Sequence, residues 1–161
     1  MRSLWIAVFL VMMSGAAGAQ SVVVGLGYAD FSYYQSRDTV TANLEYRYSP
    51  FYQGRAVNLS WGFGLGLDAD HDYFVGAGLI AEWPLRQNWF VEFSLMPSYY
   101  EADKYENRLG GDLQFRSLLA LGRTLRSGDA VSLALAHASN ASLNEFNPGV
   151  NSLLARYHVR F

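Results

Sequence analysis

The chain has 161 residues, with 12 basic against 14 acidic side chains and no cysteine. That balance, with no basic block anywhere, argues against nucleic acid as a partner, and without cysteine neither a disulfide framework nor a cysteine metal site can form. Aromatic residues reach 16% (11 Tyr, 10 Phe, 4 Trp) beside 15 Gly, a composition that suits a β-rich membrane protein better than a soluble helical domain.

Residues 1–19 open with Met1-Arg2-Ser3, run through an apolar stretch at 4–13 and end in small residues up to Ala19. One positive charge, a short hydrophobic segment and an A-x-A ending describe a secretory signal peptide. The apolar stretch is too short to span a bilayer. Cleavage after Ala19 leaves one domain, residues 20–161. Loss of Arg2 leaves 11 basic against 14 acidic residues, a net charge of −3. An exported chain of this size without disulfides draws its stability from packing or from sheet closure.

Eight alternating segments follow in order: 21–30, 39–48, 56–67, 73–83, 89–99, 109–121, 130–140 and 152–161. The third is the clearest. Val57, Leu59, Trp61, Phe63, Leu65 and Leu67 alternate there with Asn58, Ser60, Gly62, Gly64 and Gly66. Period-two alternation marks strands with two unlike faces. A membrane-spanning strand needs roughly 9–11 residues, so the mature chain has room for eight strands and short loops.

The segments put large apolar side chains on one face and small or charged ones (Glu45, Arg47, Glu92, Arg116, Arg156, Arg160) on the other. A lipocalin-like soluble barrel would turn the large apolar residues inward. Tyr48, Tyr73, Trp83 and Trp89 fall at segment ends, where interfacial aromatics belong. Terminal Phe161, in phase with Tyr157, resembles the closing aromatic of bacterial outer-membrane proteins. The expected fold is all-β: an eight-stranded antiparallel transmembrane β-barrel of the outer-membrane type. With both termini periplasmic, the loops at 30–38, 68–72, 101–108 and 140–150 face outward.

Within 130–140, Val131, Leu133 and Leu135 alternate with small residues, and His137 and Ser139 continue the apolar series. Neighbours on one strand face, they have the minimum arrangement for a base-activated serine nucleophile. Their place on the lipid side, at its outer rim, is unusual, because polar groups facing hydrocarbon are costly. An H-x-S pair at a strand end can equally be an ordinary polar terminus, since the penalty near the interface falls to about 0–1 kcal/mol.

The stretch H-A-S-N-A-S-L from His137, followed by N-P-G-V-N up to Asn151, resembles the signature of the PagL-type lipid A 3-O-deacylases. The leader, strand pattern and Phe161 agree with that family less specifically. The resemblance implies a serine esterase facing the bilayer of the outer membrane, with lipid A of lipopolysaccharide as substrate. It removes the 3-O-linked acyl chain and needs no cofactor. His137 would be the base, Ser139 the nucleophile, and Asn140 and Asn147 the oxyanion or supporting residues. The family's catalytic glutamate falls at Asn151, which can orient an imidazole but cannot balance its positive charge. Glu145 is an alternative acid, although its position does not match. A non-enzymatic surface barrel, or a relative inactivated by the change at 151, is the competing reading. A homodimer is left open.

Two further features are weaker. His71 within D-A-D-H-D (68–72) invites a metal reading, but exposed acidic loops usually meet only solvent, and no metal is expected. His158 alternates inward beside Arg156 and Arg160 as a hydrogen-bonder of the lumen.

Overall fold

The computed structural model describes residues 21–161; the predicted leader at 1–19 lies outside the described residues. Among the described residues nine strands form: β1 (Ser21–Phe31), β2 (Thr39–Arg47), β3 (Tyr52–Gln53), β4 (Asn58–Asp68), β5 (Tyr73–Pro84), β6 (Trp89–Glu101), β7 (Leu113–Thr124), β8 (Ala130–Ser139) and β9 (Val150–Arg160). The eight long ones pair antiparallel with their neighbours. Pairing of β1 with β9 and of β2 with β4 closes the sheet into a barrel. Closure removes every long unpaired edge, as a bilayer demands.

Three sequence expectations are corrected. A two-residue strand, β3, folds back from the 48–57 connection onto β4 through Tyr52–Leu59 and Gln53–Asn58. The segment expected from 109 begins only at Leu113, because Gly110 and Gly111 take φ of 81° and 140°, a left-handed backbone that extended strand excludes. Leu109 turns inward instead and packs with Ala29, Phe31 and Tyr100. The last strand starts at Val150, which brings Asn151 inside the ladder.

The alternation holds around the barrel. Leu26, Leu133 and Leu135 are more than half exposed on the outer wall, while Glu45, Glu92, Arg116 and Arg156 are buried within. The interior charges pair as expected. Arg156 reaches Glu45 at 2.7 Å and Glu92 at 2.9 Å, Arg47 reaches Glu92 at 2.7 Å, and Arg116 reaches Glu45 at 3.4 Å. Glycine makes room where an inner ring lies against the opposite backbone. A Cβ at Gly122 would stand 2.2 Å from the Phe90 ring, and one at Gly66 would stand 2.0 Å from Phe74.

Connections 32–38, 69–72, 102–112 and 140–149 share one end of the barrel and are stitched together. The buried Asn107 donates to Asp72 Oδ2 at 2.6 Å and accepts from the Arg37 backbone at 3.3 Å. Asp72 also accepts from the Asp103 backbone at 2.7 Å. The acidic D-A-D-H-D run is therefore a loop brace: Asp68 accepts from two backbone N–H groups and Asp70 from Lys104. This braced end carries the loop that follows His137 and Ser139.

Candidate active site

Strand β8 runs out through His137 and Ser139 into a tight turn. Ala141 and Ser142 take φ of 53° and 62°, and the Leu143 N–H donates to the Asn140 carbonyl at 3.0 Å. Two consecutive left-handed residues inside a four-residue hydrogen-bonded turn make it type I′. Such a backbone costs a non-glycine residue about 1–2 kcal/mol. Asn140 holds the strained turn in place. Its fully buried side chain donates through Nδ2 to the carbonyls of Phe146 (2.8 Å), Leu109 (3.1 Å) and Gly110 (3.2 Å). Its backbone N–H is taken by Asn147 Oδ1 at 3.0 Å. Asn140 therefore ties the 140–149 loop to the 102–112 loop and has no donor left for a ligand. Asn147 Nδ2 makes no hydrogen bond among the described residues, so that amide keeps its donors.

The chain then turns at Gly149 (φ 70°), whose missing side chain leaves space for the imidazole. A Cβ there would lie 3.0 Å from His137 Cε1. Two residues on, Asn151 stands directly opposite His137 in the β8–β9 ladder, and its Oδ1 meets His137 Nδ1 at 2.9 Å. An acceptor at Nδ1 places the ring proton there and leaves the Nε2 lone pair free to take another proton. Ser139 lies one step farther along the same face, at the β8 terminus opposite Phe115. Among the described residues no hydrogen bond joins its hydroxyl to the imidazole. In serine hydrolases without substrate this contact is often long and closes in the complex.

The structure thus brings His137 and Asn151 into contact, sets Ser139 two residues along the same face, and holds Asn147 against the Asn140 backbone. Glu145 is an exposed loop residue with no hydrogen bond to the imidazole among the described residues. His158 points inward, as its parity implied, with Nε2 2.8 Å from Ser132 Oγ and its ring edge against Phe90.

Sequence reading missed three neighbours. Ser117 stands opposite His137 on β7, and Asp30 stands opposite Asn151 on β1. Asp30, Asn151, His137 and Ser117 thus form one polar row across four adjacent strands of an otherwise greasy outer wall. Gly149 is the third. Parity alone put Asp30 in the outward series after Val24, Leu26 and Tyr28; only the strand register puts it beside Asn151.

Below the row the wall is grooved. A hollow of about 300 Å³ is bounded by Phe93, Ser117, Leu119, Leu135, His137 and Asn151. It shares Leu119 and Leu135 with a larger apolar trough of about 1100 Å³ that runs past Leu133 and Ala155 toward Trp89 and Tyr157. The polar row therefore sits at the head of an apolar trough on the outer wall.

A family model described as lipid A 3-O-deacylase (PagL) matches residues 24–160. No curated protein matches the sequence. Among solved structures, the outer membrane enzyme PagL superposes with a TM-score of 0.67 at 19% identity, over 86% of this chain and 98% of that one. Neisserial surface protein A gives 0.60 at 13% identity, covering 92% of this chain and all of the other. The attachment invasion locus protein Ail of Yersinia pestis gives 0.58 at 10% identity, covering 91% of this chain and all of the other. At these identities the shared feature is the barrel.

Proposed function

We propose, from the premise that this chain belongs to the lipid A 3-O-deacylase (PagL) family, that it is a serine esterase of the bacterial outer membrane. Its substrate is the ester at the 3-position of lipid A in the outer leaflet. The observation that carries the reading is the Asn151–His137 contact beside Ser139 on the lipid-facing wall. A soluble substrate would have no reason to be met there, whereas an acyl chain lying in the trough would present its ester to the head of the groove.

In the proposed reaction His137 Nε2 takes the proton of Ser139 as Oγ attacks the ester carbonyl. The tetrahedral oxyanion is held by Asn147 Nδ2 and by backbone N–H groups of the turn at Ala141 and Ser142. His137 returns its proton to the departing sugar oxygen, leaving the acyl group on Ser139. Water, deprotonated by the same imidazole, then releases the fatty acid and restores the serine. Asn151 keeps the ring in the tautomer that exposes Nε2. Asn140 has its amide nitrogen committed to three carbonyls, so its role is to hold the loop rather than the oxyanion.

The test is mass spectrometry of lipid A from cells expressing the wild type, Ser139→Ala or His137→Ala. Loss of one 3-hydroxyacyl chain in the wild type alone is the expected result. Equal deacylation in all three would remove both residues from the mechanism. An intact lipid A in every strain would leave the barrel as a surface protein or an inactive relative.

A further inference from the structure

Resting on the hydrolase reading above, we infer that Asp30 is a positioning residue that supplies the negative charge missing at Asn151. In cross-strand register Asp30 faces Asn151, and Asn151 faces His137. All three are exposed on the outer wall. Opposed residues of this kind have Cβ atoms about 4.5–5.5 Å apart, within reach of an aspartate and an asparagine. With Asn151 Oδ1 turned to β8 to meet the imidazole at 2.9 Å, the amide N–H donors are left for the β1 side, where Asp30 stands. Among the described residues no hydrogen bond joins the two, so the carboxylate acts through its field on the amide and on His137 beyond it, drawing a more negative oxygen toward the imidazole. No proton crosses the amide. His137 gains its second proton from Ser139 and returns it to the leaving oxygen.

The surroundings single Asp30 out. Along the outward series of β7, β8, β9 and β1 the charged side chains are Asp30 and, at the opposite end of the barrel, Arg123. The loop acid nearest to Asp30 in the chain, Asp38, is engaged by the Tyr28 hydroxyl at 3.1 Å and the Phe31 N–H at 3.2 Å. Arg116, whose backbone pairs beside His137 at Ala138, turns inward and bonds Glu45 and Asn43. A carboxylate on the lipid side of a barrel is otherwise an unfavourable placement. Two strand spacings put Asp30 about 10 Å from the imidazole, where a unit charge at the headgroup boundary alters the rate by roughly tenfold.

The experiment uses the full-length barrel in detergent–lipopolysaccharide micelles and compares wild type, Asp30→Asn, Asn151→Glu and the double variant. Asp30→Asn should lower kcat about tenfold with KM within twofold. Asn151→Glu should restore the rate in the Asp30→Asn background and gain much less in the wild-type background, where two carboxylates would be adjacent. Wild-type turnover in Asp30→Asn, or a loss that Asn151→Glu leaves unchanged, would overturn the inference. A second measurement does not depend on turnover: the ¹⁵N signals of the Asn151 side-chain amide and the His137 ring, read at one fixed pH, should shift in Asp30→Asn. Unmoved signals would dismiss Asp30 even if lipid A proves not to be the substrate. Shifted signals without any deacylation would retain Asp30 and reject the substrate assignment.

Discussion

Replacing Asn151 by aspartate changes one amide nitrogen to oxygen and leaves the shape of the side chain almost untouched. The new carboxylate would inherit the 2.9 Å contact with His137 Nδ1, so the imidazolium formed during attack would face a full negative charge. Two unit charges about 4 Å apart attract by about 4 kcal/mol at the effective dielectric of a protein surface. Asn151 is exposed at the membrane boundary, and Asp30 beside it opposes a second carboxylate. The exposure and the charge that Asp30 already supplies cut this attraction to about 0.7 kcal/mol, or roughly threefold in kcat. Asn151→Ala supplies the opposite limb, because it removes the acceptor that fixes the tautomer. The assay is release of 3-hydroxy fatty acid from lipopolysaccharide in mixed micelles, measured at saturating substrate. The expected order of kcat is Asp above Asn above Ala. An aspartate variant no faster than wild type, joined to an alanine variant that keeps full activity, would show that position 151 does not orient the base.

Three other outcomes follow from named contacts. Asn140→Ala removes donors to three carbonyls, at about 1 kcal/mol each; limited proteolysis should cut the 140–149 loop faster while the barrel stays resistant, and an unchanged cleavage rate would contradict the bracing role. Ala155→Phe fills the trough below the site, so activity on long acyl esters should fall at least tenfold while a short-chain nitrophenyl ester is still hydrolysed. Equal loss on both esters would mean that the trough does not hold the chain. Asp70 is held below the ordinary aspartate value of 3.8 chiefly by the hydrogen bond from Lys104. A depressed carboxylate stabilises the folded loop fully above its unfolded value, and that contribution is lost as pH falls through the lowered one. Amide protection in 102–108, corrected for the intrinsic exchange rate, should therefore fall as pH drops below the ordinary aspartate value of 3.8, and Lys104→Ala should abolish the difference.

The outer wall explains why the candidate site stands where it does. Lipid offers no hydrogen bonds, so each polar side chain facing it must find a partner on the wall or lie near the headgroups. The His137–Asn151 pair does the first, and its place at the loop end of β8 and β9 does the second. The strained type I′ turn after Ser139 sits among loops that are hydrogen-bonded to one another, and stored strain persists only where the surroundings over-determine it. Here Asn140 makes that connection, through three carbonyls drawn from two loops.

How much of this is legible without coordinates depends on whether a feature obeys parity or register. Parity is a property of one strand, so the outward placing of His137 and Ser139 and the inward placing of Glu45, Glu92 and Arg156 follow from alternation alone. Register is a property of two strands, and alternation is unchanged when one strand slides past another by two residues. Asp30 and Asn151 lie 121 positions apart in the chain, and nothing in either segment states that they meet. The closing β1–β9 ladder decides it, pairing Ser21 with Arg160 and carrying Asp30 to Asn151. The same limit hid the division of labour between the two loop asparagines. Asn140 and Asn147 look alike in sequence, but Gly110 and Gly111 delay the start of β7 and fold the 102–112 carbonyls over Asn140. One amide nitrogen is thereby occupied in holding the loop, and the other makes no hydrogen bond among the described residues.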